Sequence, residues 1–320
     1  MDKYKKDIFN ILRTNSPEMW KTVLFLIFTL VVVPIVTFYF DDAPSELQWS
    51  LLDNTYTVCL LFAFLCFVVS TLTKNYSQVD KLWSILPLVY VWMVYASSPD
   101  PRILMISVLV SVWGIRLSYN FWRRGGYQWK FWEGDEDYRW AILRAKPEFQ
   151  PQWKWILFNL FFISLYQMSL IWMMTIPTIK STDGHVLHVW DYLLTAIALG
   201  ILVLETIADQ QQWVFQQEKY RRIKEGEELG SFYGKGFTHT GLWGRMRHPN
   251  YFAELSFLVV IYLFSVSASG QWINWSIAGC LLLILLFKGS SDFSEEISAS
   301  KYPEYKEYQK KVPRFLPRLW

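Results

Sequence analysis

A basic turn, Arg245-Met-Arg247-His248-Pro249-Asn250-Tyr251, runs through its proline into an apolar stretch at 251–269 and leaves Glu254 one turn inside it. Proline suits a first helical turn, whose N–H groups lack intrahelical partners, and those groups together with the positive helix end attract anions. Arg245, Arg247 and His248 strengthen that attraction. Asn250, Tyr251 and Glu254 fall on one helix face at spacings of three and four. An acid at that depth in an apolar helix marks function by default. The chemistry read from this pattern is the docking of a phosphate-bearing cofactor at a membrane edge, with its reactive end directed inward.

The elements that must position these groups are membrane helices. Hydrophobic residues make up 52% of the 320-residue chain and aromatics 18%, mean hydropathy is +0.16, and apolar runs of spanning length recur from end to end. The spans expected are 22–40, 55–73, 82–96, 102–121, 154–177, 189–208, 250–269 and 271–288. The predicted fold is therefore an all-α, polytopic transmembrane helix bundle of seven to eight spans. Residues 1–54 would form an N-terminal anchor helix and lumenal loop, and 55–320 the functional membrane domain. With both termini cytosolic, 28 of the 31 Lys and Arg fall on the cytosolic side, as the positive-inside rule expects. Arg102 and Lys180 are left to lumenal loops and Arg116 to a span. The first apolar run lacks a small-residue cleavage site and is expected to stay as an anchor.

Three cysteines, Cys59, Cys66 and Cys280, all lie in spans without metal-ligand spacing, so neither a disulfide framework nor a metal site is indicated. No basic nucleic-acid module stands out, and the glycine-dense piece 226–244 has neither a preceding strand nor GxGxxG order. Any nucleotide must be held by helix ends and loops.

Further polar groups gather at the same ends. Arg116 and Asn120 form a stripe running down to Arg123 and Arg124. The loop Glu136-Asp137-Tyr138-Arg139-Trp140 offers a charged and aromatic clamp, and Glu205, Asp209, Gln212 and Gln216 line one helix face. Beyond the last span come Ser291, Asp292, Glu295, Tyr302, Tyr305 and a Val312-Pro-Arg-Phe-Leu-Pro tail. Each also has a structural reading: Arg116 can pair with Glu205 or Asp209, the flanking cations can set topology, a lone His can cap a helix, and the tyrosines can form an interfacial belt.

In combination, Glu205-x-x-Ala-Asp209-x-Gln211, Gly241-Leu-Trp, Arg247-His-Pro-Asn-Tyr-Phe-x-Glu254, Tyr302-Pro-x-Tyr305 and the Phe-Leu-Pro ending resemble the membrane oxidoreductases of the steroid 5-alpha-reductase superfamily, in particular its domain of unknown function 1295 branch. Val79-Asp80-Lys-Leu-Trp83, Trp113-Gly-x-Arg116 and Glu136-Asp-Tyr-Arg139 extend the resemblance to about residues 75–318. It implies NADPH-dependent reduction of a double bond conjugated to a carbonyl in a lipid, of steroid, polyprenol or enoyl type. Hydride would go to the beta carbon while an acid hydrogen-bonds the carbonyl oxygen. On this reading Glu254 and Tyr251 are catalytic, Glu254 acting as a neutral acid directly or through a tyrosine. Arg116, Asn120, Tyr138, Arg139, Glu205, Asp209, Arg247, His248, Asn250, Ser291, Glu295 and Tyr305 would bind the cofactor. The cations around 123–139 and 245–247 favour NADPH over NADH. The expected setting is the endoplasmic reticulum membrane, with a lipid as substrate and no nucleic acid or metal as partner.

Ala253 replaces the usual glycine before the acid, and Lys288-Gly-Ser-Ser291 lacks the arginine and histidine of steroid-reducing members. The His-Pro-Asn-Tyr element is shared with isoprenylcysteine carboxyl methyltransferases, so an S-adenosylmethionine-dependent methyltransferase is the alternative. A lipid-binding scaffold is the third reading.

Overall fold

The computed structural model describes Leu24 and residues 27–317; the start of the first expected span lies outside the described residues. Among them no strand occurs, and seven helices are long and apolar enough to cross a membrane: α1 (Glu46–Thr73), α2 (Gln78–Ser97), α3 (Pro101–Trp122), α4 (Gln152–Asp183), α5 (Val189–Glu225), α6 (Pro249–Ser269) and α7 (Ile277–Lys301). A short α8 (Tyr305–Lys311) follows.

Local signals explain where these helices start and stop. Ser45 and Gln48 form a reciprocal capping box at the start of α1, which satisfies two otherwise orphaned N–H groups. The helix therefore begins at Glu46, so the expected boundary at 54/55 falls inside it, and Glu46 and Asp53 are helical. Asp100 caps α3 by accepting from the Arg102 N–H, with Pro101 in its first turn. Two helices outrun their apolar stretches. The span expected at 189–208 continues to Glu225, because Arg221 pairs with Glu218 and Glu225 at helical spacing and nothing breaks the helix until Gly226 at φ 72°. The span expected at 271–288 starts only at Ile277, the preceding turn being held by Asn274 on Ser265 and Ser276. It then runs on to Lys301, just short of Pro303.

The chain divides into two compact units. In the larger, residues 27–197 and 258–283, one apolar core joins α1, α2 and α4 through Cys59, Cys66, Tyr90, Ile163, Met168 and Ile171. A second joins Leu51, Val94, Ile103, Ile179 and Trp275. The three cysteines are free and buried, so they serve as packing residues. Two buried cations here are paired. Arg102 is fully buried, with its Nε 3.0 Å from Asp191 Oδ1 and its Nη2 3.0 Å from Oδ2. The same guanidinium donates to the carbonyls of Gly184 and Val186. Lys180 lies 3.2 Å from Asp41 and 3.0 Å from Asp183. These two cations, assigned to lumenal loops from the sequence, are thus interior ion pairs, where an unpaired charge would be costly.

The smaller unit comprises residues 198–257 and 284–317 within the described chain. It carries the candidate site.

Candidate functional site

The smaller unit is organised around one carboxylate. Glu295, 2% exposed on α7, accepts from four side chains: Arg247 Nε at 2.7 Å with Nη2 at 3.2 Å, His248 Nε2 at 2.9 Å, Gln309 Nε2 at 2.9 Å and Arg314 Nη2 at 3.1 Å. The remaining Arg247 nitrogen, Nη1, donates to the carbonyls of Gln309, at 2.9 Å, and Val312. The backbone closes the same joint: the N–H groups of Arg247 and His248 donate to the carbonyls of Pro313 and Arg314 at 2.9 and 3.1 Å. Arg314 also pairs with Asp292, which takes Lys288 at 3.1 Å. The Pro-Arg-Phe tail is thereby clamped across the start of α6.

This geometry gives the residues read from the sequence partners within the chain. Arg247 and His248 were expected to meet phosphate, and the helix start was expected to offer open N–H groups. Instead Arg247 donates from Nε, Nη1 and Nη2 to its own chain, and the Tyr251 N–H donates to Asn250 Oδ1 at 3.0 Å. Glu295, expected to touch cofactor, is the hub of the clamp. Ser291 is fully buried and donates to the Lys288 carbonyl of its own helix at 2.8 Å. Tyr305 is 6% exposed, with its ring 4.9 Å from Phe237 and 5.5 Å from Tyr308. Burial pushes the phenols of Tyr305 and Tyr308 above the ordinary tyrosine range. The Tyr308 hydroxyl donates to the Trp243 carbonyl. The clamp was not read from the sequence; Arg314 was noted only as part of the tail, and Gln309 gave no signal.

A loop is laid along α5. Trp243 Nε1 donates to the Ala208 carbonyl at 3.0 Å, the Leu242 N–H to Gln211 Oε1 at 3.0 Å, and Lys219 Nζ to the Gly236 carbonyl at 2.9 Å. Gly241 sits at φ 62° against the Gln211 amide, where a Cβ would collide; a residue other than glycine is strained there. Besides Glu295, three acids are buried in this unit: Glu205 at 3% and Asp209 at 7% exposure on α5, and Glu254 at 5% on α6. Ala253 is fully buried beside Glu254. Tyr251 stacks on His248, centroids 5.2 Å apart, and meets Phe287 edge-on at 4.7 Å.

The other expected cofactor residues belong to the larger unit. Arg116 is half-buried and Asn120 buried, both on α3, while Tyr138 is exposed on a short helix, Tyr138–Arg144. Arg139 is bound to its neighbour Asp137 through Nε at 2.9 Å and Nη2 at 2.8 Å. Burial acts to raise the Asp137 carboxyl, but the Arg139 hydrogen bonds and charge outweigh it and hold it below the usual carboxylate range. No cluster of three or more metal-ligating side chains occurs among the described residues.

Apolar helices of spanning length, some burying acids and clamped arginines at their charged ends, define a polytopic all-α membrane protein. More particularly, the chain belongs to the family described as "Protein of unknown function (DUF1295)", which matches residues 66–312 and bears out that part of the resemblance. It is 35% identical over 284 residues to "Uncharacterized protein C594.04c" of Schizosaccharomyces pombe, covering 83% of this chain and 80% of the relative. No solved structure matches the chain.

Proposed function

We propose that this protein uses NADPH to reduce a carbon–carbon double bond conjugated to a carbonyl in a membrane lipid, at the cytosolic face of the endoplasmic reticulum. The observation that carries the reading is Glu254: an acid 5% exposed within α6, at a depth where neither solubility nor topology calls for a charge. The resemblance to the steroid 5-alpha-reductase superfamily supplies the reaction class.

On this reading two residues would hold one half of the cofactor. Asp209 on α5 and the Asn250 side-chain nitrogen, whose oxygen partner is already bound to the Tyr251 N–H, offer the acceptor and donor that a ribose or carboxamide needs. The diphosphate half does not fall to Arg247 and His248, which the Glu295 clamp engages; the exposed Arg245 beside them takes that role. The bound cofactor supplies the hydride. Glu254 then donates a hydrogen bond and a proton to the carbonyl oxygen as negative charge develops there, an effect whose removal costs about a hundredfold or more in rate. Tyr251, held between His248 and Phe287, completes the wall beside it.

The filled helix start favours one other reading. A phosphate-free cofactor such as S-adenosylmethionine needs no cation at that point, so methyl transfer to a lipid acceptor remains the alternative. Titrating purified full-length protein with both cofactors separates them. Binding of NADPH without S-adenosylmethionine is expected; the reverse overturns the reductase reading. Glu254→Gln in the same preparation should keep its melting temperature and NADPH affinity while single-turnover NADPH oxidation falls about a hundredfold. Normal oxidation in a destabilised variant removes Glu254 from the mechanism.

A further inference from the structure

Within the smaller unit, a cavity of about 540 Å3 runs along α5 between Ile207, Gln211, Val214 and Phe215 on the helix and Phe232 and Thr240 opposite. It is distinct from the acid stripe. At about 100° per residue, Ile207, Gln211 and Val214 point to the side of the helix opposite Glu205, Asp209 and Gln212.

Two features define what this groove can hold. Its body is apolar and aromatic, and it continues the exposed apolar side of a span-length helix: Val203 is 60%, Ile207 46% and Val214 53% exposed. Surface of that kind on a membrane helix meets acyl chains rather than water. Its polar groups are all neutral amides and hydroxyls; among the described residues no Lys, Arg, Asp or Glu lines it, and Arg222 beyond the wall lies over the Tyr233 ring. An anionic or zwitterionic headgroup would find no counter-charge in the lining itself. One donor is fixed in advance. Gln211 Oε1 is occupied by the Leu242 N–H at 3.0 Å, and Gly241, with φ 62°, closes against the same amide. That pins the amide plane, and the Thr240 hydroxyl lines the same groove. Pre-positioned donors of this kind lower the ordering cost of binding.

We propose that this groove binds a neutral, hydroxyl-bearing membrane lipid, its apolar body along Ile207 and Val214 and its oxygen on Gln211 Nε2 and Thr240. The site is independent of the chemistry assigned to Glu254 and carries no reaction step.

The test uses the full chain in phosphatidylcholine nanodiscs containing a diacylglycerol with a photoactivatable acyl chain. After irradiation, adducts should concentrate on 203–215 and 232–240 and be competed by unlabelled diacylglycerol but not by phosphatidylglycerol. Gln211→Leu should lower the yield about tenfold, the weight of one hydrogen bond. Val214→Trp, at an exposed position, should fill the groove and abolish labelling; Ile207→Trp blocks it from the other end should the first variant fold poorly. Adducts spread evenly over the spans, equal competition by phosphatidylglycerol, or labelling undiminished in a folded groove-filling variant overturns the proposal.

Discussion

Two arginines hold buried carboxylates in this protein by opposite designs. Arg102, in the larger unit, serves one carboxylate: Asp191 takes two of its nitrogens and backbone carbonyls take the rest, with both side chains fully buried. Arg247, in the smaller unit, shares its carboxylate with His248, Gln309 and Arg314. The first is a closed ion pair: without Arg102, Asp191 keeps only neutral donors, the His188 N–H at 2.7 Å among them. The second is a hub, in which a lost spoke leaves the carboxylate still facing a cation. Burial of the two carboxylates, at 0% and 2% exposure, would rank them alike; the number of cations on each separates them.

The sharpest way to break that comparison is Arg102→Ala. It leaves Asp191 buried without a cation and should cost about 3–5 kcal/mol, read as a large fall in melting temperature in detergent. A loss no greater than that of Arg247→Ala would refute the distinction. Arg247→Ala removes one spoke and should cost less, about 1.5–3 kcal/mol for charge-assisted hydrogen bonds. It should also free the tail, so protease cleavage within 303–317 should accelerate while Arg102→Ala leaves that segment protected. Weakened NADPH binding in an unshifted Arg247→Ala protein would instead return this arginine to the phosphate site.

Arg139→Ala should have the smallest effect, about 0–1 kcal/mol, because its pair with Asp137 is 32% and 25% exposed. Its pH dependence has a definite sign. The folded Asp137 carboxyl lies below its ordinary value of 3.8, so the pair contributes stability above that value and loses it as pH falls through the depressed folded one. The variant should differ from the parent at neutral pH and converge with it in acid; a constant difference across pH would show that Arg139 acts by packing.

The spans were legible because an apolar run long enough to cross a bilayer has few other uses. Their ends were not. Arg221 with its acids lengthens α5, and the Asn274 turn delays α7, both through contacts that hydropathy does not register. Arg102 and Lys180 were read as loop cations because topology counting treats every Lys and Arg as solvated. The buried acids Asp209 and Glu254 were found from spacing on single helices. The clamp was missed because Glu295, Gln309 and Arg314 lie 47 to 66 positions from the Arg247 and His248 groups they meet, and their types suit solvent equally well.

The clamp also imposes an order on synthesis. Arg247 emerges 48 residues before Glu295 and still further ahead of the Pro313 and Arg314 carbonyls. While α6 enters the bilayer its cationic start has no carboxylate from α7 to meet it, and the two backbone N–H groups there are bare. A nascent chain halted between residues 260 and 290 would hold an unfinished α6, its basic start kept at the aqueous surface. Only when α7 follows, and then the Pro-Arg-Phe segment, can that start be drawn down and sealed. The two helices and the segment after them thus mature as one hairpin, with Pro313 and Arg314 acting as its latch.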